Sequence, residues 1–210
     1  MNTMQPVVDR QELRSYFATL SGLLDGAEVT AASGERVDYA EAINRFIGWA
    51  HSAHDAGNKL IFVGNGGSAA IASHMATDYS KNGDIRALAL NDGAMLTCLG
   101  NDLGYDRVFA KQIELHARSG DVLVAISSSG RSANILNAVA AARSRHCRII
   151  TLSGFKPDNP LRRLGDLNFY IASERYGFVE IGHLTICQAV VDFVCGLRMK
   201  PAMEGDGASA

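Results

Sequence analysis

Cysteine is scarce and scattered. Cys98, Cys147, Cys187 and Cys195 form no CxxC pair and no zinc-finger spacing, which excludes a thiolate metal knuckle and argues against a disulfide framework. They read as reduced, mostly buried thiols of a cytoplasmic protein. Basic charge is not in excess either. Formal net charge is −2 and the pI about 6.3, so no global field would recruit nucleic acid or an acidic membrane, and neither is expected as a partner. Apolar runs are short, none approaching the ~20 residues needed to cross a bilayer. The opening MNTMQPVVDRQELRSYF carries charges where a secretory leader would be apolar. No GxxxxGK(S/T) sequence occurs, which excludes a P-loop nucleotide hydrolase.

What the chain does contain is ordinary globular material, 47% hydrophobic and 20% charged over 210 residues, enough for one sizeable core. Apolar residues at helical spacing predict helices over 9–25 (Leu13, Phe17, Leu20, Leu24) and 39–57 (Ala40, Ile43, Phe46, Ile47, Ala50). The segment between them, GAEVTAASGERVD, reads as a polar loop. From Lys59 onward, short apolar runs predict strands near 60–64, 85–90, 121–126, 147–152 and 167–171. Helical stretches over 67–81, 106–117 and 132–145 separate most of them, and a final helix is predicted from about Gly177 to Met199. Such alternation, with near-continuous apolar strands, predicts a parallel sheet covered on both faces. Residues 1–200 read as one domain whose N-terminal helical extension (about 9–57) serves oligomerisation, because its apolar stripe lies outside the sheet-forming region. The tail 201–210 lacks apolar periodicity and reads as disordered.

Two strand-to-helix junctions resemble each other. LIFV leads into GNGGSAA, and LVAI leads into SSSGRSAN. In open α/β sheets, ligands bind where such turns converge beyond the carboxyl ends of the strands. Gly64–Ser68 can bring bare backbone close to a ligand. Each following helix offers free N–H groups and the positive end of its dipole. Ser127, Ser128, Ser129 and Ser132 add hydroxyl donors, and together these suit a phosphate monoester. Arg131 is placed in the first turn of the helix, where a cation is favourable only beside an anion. The competing reading is a dinucleotide site, since GNGGSA fits G-x-G-x-x-A after a strand. Its acidic residue would have to be Asp92, and SSSGRS would go unexplained; no nucleotide cofactor is expected.

GNGGSA and AISSSGRSAN, with GND at 100–102 between them, closely resemble the sugar isomerase (SIS) domain, and within it the phosphoheptose isomerase branch. The resemblance runs from about residue 10 to residue 198. It implies a flavodoxin-like α/β three-layer sandwich, a five-stranded parallel sheet with flanking helices, assembled as a homotetramer with sites at subunit interfaces. It also implies isomerisation of D-sedoheptulose 7-phosphate to D-glycero-D-manno-heptose 7-phosphate for surface glycans such as lipopolysaccharide. By position, Ser127, Ser128, Ser129 and Ser132 would hold the phosphate. Asn65, Gly66, Gly67 and Ser68 would line the sugar, and Asn101 and Asp102 would bind its hydroxyls. The branch places a His and a Glu four apart after GNGGS, and a Gln and a His eight apart on the C-terminal helix, with zinc able to sit among them. Here those positions read His74, Asp78, Glu180 and Gln188, the implied catalytic and metal-binding set. The implied alternative is non-catalytic. The protein that associates with the initiator DnaA keeps the fold and also lacks the last His.

Aldose–ketose isomerisation moves a proton between C1 and C2 through an enediolate, and needs a base over those carbons and an acid or metal at the oxygens. His74 and Asp78, at i and i+4, share a helix face and could ligate a metal, act on substrate, or simply hydrogen-bond at the surface. Asp78 is the expected base. Glu180 could equally be a first-turn carboxylate favoured by the helix dipole. His183 could be a core histidine or an imidazole near the site. Gln188 is polar on a buried stretch, which suggests a ligand or a partner subunit, but it cannot donate a proton as histidinium does.

Overall fold

The computed structural model describes residues 7–197. Helix α1 (Arg10–Asp25) starts from a reciprocal cap, the Asp9 carboxylate accepting from the Glu12 amide and Glu12 returning to the Asp9 amide. Strand β1 (Glu28–Ala31) follows, then α2 (Tyr39–Asp55), capped by Asp38. Alternation then sets in, with β2 (Leu60–Val63), α3 (Gly67–Lys81), β3 (Ala87–Ala89), α4 (Gly93–Leu103), a 3₁₀ turn at Tyr105–Arg107 and α5 (Val108–His116). Strand β4 (Val122–Ser127), α6 (Ala133–Ser144), β5 (Arg148–Ser153), a 3₁₀ turn at Pro160–Arg163, β6 (Leu167–Tyr170) and α7 (Tyr176–Val194) complete the chain.

The sheet order is β1-β6-β5-β4-β2-β3, parallel except for β1, which runs antiparallel to β6. Its central strands bury both faces. Leu60, Phe62, Val122, Val124 and Ile126 face the layer of α2, α3 and α7, whereas Ile61, Val63, Leu123 and Ala125 face that of α5 and α6. The three-layer α/β architecture is the one expected, with six strands rather than five. The extra strand comes from the segment read as a polar loop. EVTA buries only Val29, and it becomes a strand because its backbone pairs with β6 at the register Val29↔Phe169. Helix α4 was also unforeseen, for it buries no residue.

The two N-terminal helices differ. α1 buries none of its residues, whereas α2 buries Ala42, Phe46, Ala50 and Ala53 in the chain's own core. α2 is therefore part of the sheet's covering layer as well as a bearer of apolar surface. α7 begins at Tyr176 and ends at Val194, short of the Met199 expected; Met199 and the tail 201–210 lie outside the described residues. By length and hydropathy α7 could cross a membrane, contrary to the expectation from run length, yet 44% of its apolar window is buried inside the fold. Two of the four cysteines, Cys98 and Cys195, are exposed rather than buried.

β2 and β4 are neighbours, and the chain leaves them in opposite directions, β2 toward β3 and β4 toward β5. This is the switch point of the sheet, and both Gly64–Ser68 and Ser127–Ser132 emerge there.

Candidate active site

Buried on both faces, β4 ends at Ser127. The turn beyond it is shaped by Gly130, which has φ +62° and gives its N–H to the Ser127 carbonyl at 3.0 Å. A β-carbon there would overlap the Asn159 side chain. Asn159 is itself fully buried, and donates to the Gly154 and Lys156 carbonyls at 3.1 and 2.9 Å. The turn delivers Ser132 to the N-cap of α6, yet its hydroxyl makes no cap bond. It pairs instead with Ser127 Oγ at 3.3 Å. The Ser129 hydroxyl accepts from the Arg131 amide at 3.3 Å. The Ser128 hydroxyl is buried and has no partner. A buried hydroxyl without a partner costs on the order of 1–3 kcal/mol, a cost that a bound oxyanion would remove.

These serines line a cavity of about 130 Å³ together with Asn65, Ser68, Ile126, Tyr176 and Glu180. The N-termini of α3, α6 and α7 meet around it. Asp9, Asp38 and Asp92 cap α1, α2 and α4, but no side chain caps α3, α6 or α7. Unclaimed N–H groups and dipole ends thus point at hydroxyl-lined space, an arrangement that binds anions. Gly66, at φ +54°, is the N-cap of α3. Gly67 has no side chain for a specific reason: a β-carbon there would collide with the Glu180 carboxylate. Glu180 lies on the second turn of α7, not its first, and is the one carboxylate among the cavity's residues.

The remaining expected residues divide. His74 Nε2 and Asp78 Oδ2 lie 3.7 Å apart on α3, with His74 about half exposed, seven residues and so roughly 10 Å along the helix from Gly67. Gln188 is roughly 12 Å along α7 from Glu180, and its amide donates to Asp192 at 3.0 Å. His74, Asp78 and Gln188 thus lie along α3 and α7, two helices packed side by side, beyond the turns that line the cavity. Among the described residues no three His, Cys, Asp or Glu side chains gather as metal ligands. Asn101 and Asp102 sit exposed at the end of α4, hydrogen-bonded to each other at 2.8 Å and outside the cavity.

His183 is fully buried behind the serine turn, its Nε2–H donating to the Ser153 carbonyl at 3.0 Å. Burial pushes its pKa down to about 4. It is a neutral core histidine, unable to serve as the site's acid. Arg131 lies just before α6 rather than in its first turn, and its guanidinium pairs with Asp158 at 3.2 Å in solvent. Asp92, the residue a dinucleotide site would need, is the cap of α4, accepting from Met95 at 2.8 Å. Tyr176 carried no signal in the sequence, and Asn134 closed the AISSSGRSAN motif without a role assigned to it. Tyr176, the first residue of α7, lines the cavity.

A family model described as the SIS domain matches residues 27–154. A phosphoheptose isomerase of Citrifermentans bemidjiense is 38% identical over 172 residues, covering 79% of this chain and 88% of that protein. The solved phosphoheptose isomerase of Neisseria gonorrhoeae superposes with a TM-score of 0.76 at 30% identity, over 88% of this chain and 98% of its own. That of Francisella tularensis gives 0.76 at 25%, over 91% and 100%. With three uncapped helix N-termini around a serine turn at the sheet's switch point, the chain belongs to the SIS-domain family, in its phosphoheptose isomerase branch, and by that membership is an isomerase.

Proposed function

We propose that the chain interconverts D-sedoheptulose 7-phosphate and D-glycero-D-manno-heptose 7-phosphate, or a close variant, supplying heptose for surface glycans. The observation that carries this is the unpartnered, buried Ser128 hydroxyl in a cavity walled by Ser127, Ser129 and Ser132 at an uncapped helix terminus. A terminal phosphate placed there receives four hydroxyl contacts and the free N–H groups of α6. The sugar then runs along Asn65, Gly66, Gly67 and Ser68, with Asn101 and Asp102 reaching its hydroxyls only if α4's end moves or a second copy contributes.

Proton transfer between C1 and C2 needs a base several bonds from the phosphate. Asp78 is that base in this reading, and Glu180 is the second carboxylate, held at the N-terminus of α3. Gln188 can orient a hydroxyl through its carbonyl oxygen but supplies no proton. His74, Asp78 and Gln188 lie along α3 and α7 away from the serine turn, and in this reading neighbouring subunits of a homotetramer complete the site. No step is routed through a metal.

The test is an NMR time course with sedoheptulose 7-phosphate, alongside binding by Ser129→Asp. Turnover by the wild type is expected. The variant carries a fixed carboxylate where the phosphate should sit, and should lose sugar-phosphate affinity. Undiminished affinity would remove the serine turn as the phosphate cradle.

A further inference from the structure

Asn65 is the only side chain in the glycine turn long enough to reach beyond it, and its hydrogen bonds leave the turn altogether. Its Nδ2 donates to Asn134 Oδ1 at 2.9 Å, while Asn134 Nδ2 donates to Asn65 Oδ1 at 2.8 Å. The two amides form a closed, reciprocal pair. The Tyr105 hydroxyl adds a third bond, donating to Asn65 Oδ1 at 3.0 Å. Both lone pairs of that oxygen are then used, and one N–H of Asn65 remains for a ligand.

Asn134 is only 3% exposed and stands in the first turn of α6, two residues beyond Ser132. Tyr105 belongs to the 3₁₀ turn before α5, which Asn137 anchors to α6 by donating to the Asp106 carbonyl at 2.9 Å. One helix therefore fixes both partners of Asn65. No side chain caps α3, and the other side-chain bond to its first turn, Asn91 Nδ2 donating to the Ala69 carbonyl at 2.8 Å, comes from the β3 side and not from α6. We propose that Asn134 and Tyr105 are positioning residues that lock the glycine turn to the serine turn through Asn65, so that phosphate held at α6 places the sugar against the glycine turn. This rests on the sugar-phosphate reading above.

The latch acts on alignment, not on the phosphate contacts, so the two should separate experimentally. Affinities for inorganic phosphate and for sedoheptulose 7-phosphate are measured calorimetrically with the full chain, together with turnover. The wild type is compared with Asn134→Leu and Tyr105→Phe. Both variants should keep wild-type affinity for inorganic phosphate and lose the extra affinity conferred by the sugar. In Asn134→Leu, kcat should fall about 10²-fold, the scale of an ångström-sized misplacement. Tyr105→Phe loses one hydrogen bond and should fall about 2- to 10-fold. Tyr105 is exposed, so its variant answers the question even if Asn134→Leu fails to fold. A parallel loss of phosphate affinity and turnover would overturn the latch, as would wild-type sugar affinity and kcat in the variants. If the wild type binds the sugar phosphate without converting it, the isomerase reading fails. The latch then stands or falls on the variants' sugar-dependent affinity alone. A wild type that binds neither ligand overturns both.

Discussion

In the reading proposed above, activity turns on Asp78 and Gln188. Asp78 is one methylene shorter than the glutamate implied by family resemblance, and Gln188 stands where a histidine is implied. Asp78→Asn should reduce turnover by about 10²–10⁴-fold if Asp78 is the base. Wild-type activity in that variant would transfer the role to Glu180, which already lines the cavity. Gln188→His should raise turnover if the wild type lacks an acid, and steady-state kinetics on both variants decide the matter. His183 makes a separate prediction about stability. Folded, it stays neutral down to about pH 4; unfolded, it takes up a proton near 6.5. Between those values the unfolded chain binds more protons, so stability falls as pH drops from 6.5 to 4, by roughly 3 kcal/mol from this group. Urea midpoints across that range should show the decline in the wild type, and His183→Gln should lack this share of it. The imidazole's spacing from Glu180 was visible in the sequence. Its burial behind Ser153 was not, because burial depends on how α7 packs against β5.

At the scale of elements, legibility followed burial. The strands at 60–63, 122–127 and 148–153 bury nearly every residue, and their apolar runs announced them. β1 and α4 have no such signature. EVTA gains its conformation from β6, and GAMLTCLGNDL carries glycines at two of its positions and buries none of them. The two site-forming turns were legible because glycine and serine after a core strand have few other uses. The residues that hold the turns in place were not, since Asn134, Asn159 and Tyr105 reach them from distant segments. Gly130 tests the serine turn as a unit. Gly130→Ala sets a β-carbon at φ +62° against the Asn159 side chain. It should destabilise the fold by about 1–3 kcal/mol and weaken phosphate binding together with it, read by thermal melts and calorimetry. Unchanged binding would mean the turn tolerates reshaping.

For the whole molecule, the apolar surface is unevenly spread. Leu13, Tyr16 and Phe17 on α1 and Ile181 on α7 are exposed. A cavity of about 560 Å³ between α2 and α7 is lined by Tyr39, Ile43, Ile47 and Ala189. So much exposed apolar side chain on a helix that buries nothing favours assembly. Light scattering at micromolar concentration should give a mass well above 22.4 kDa, and a monodisperse monomer would contradict it.

Strand β1 decides how such copies can meet. Without it, β6 would present a row of unpaired amides and carbonyls along a flat hydrophobic edge, the template on which chains add to one another without limit. β1 occupies that row, runs counter to it, and folds back through the Thr30–Arg36 bridge. At the opposite margin β3 is only three residues long, and the Ser80 hydroxyl donates to its Ala87 carbonyl. Both margins are poor seeds for fibrils, which leaves helical faces as the surfaces through which copies of this chain would associate.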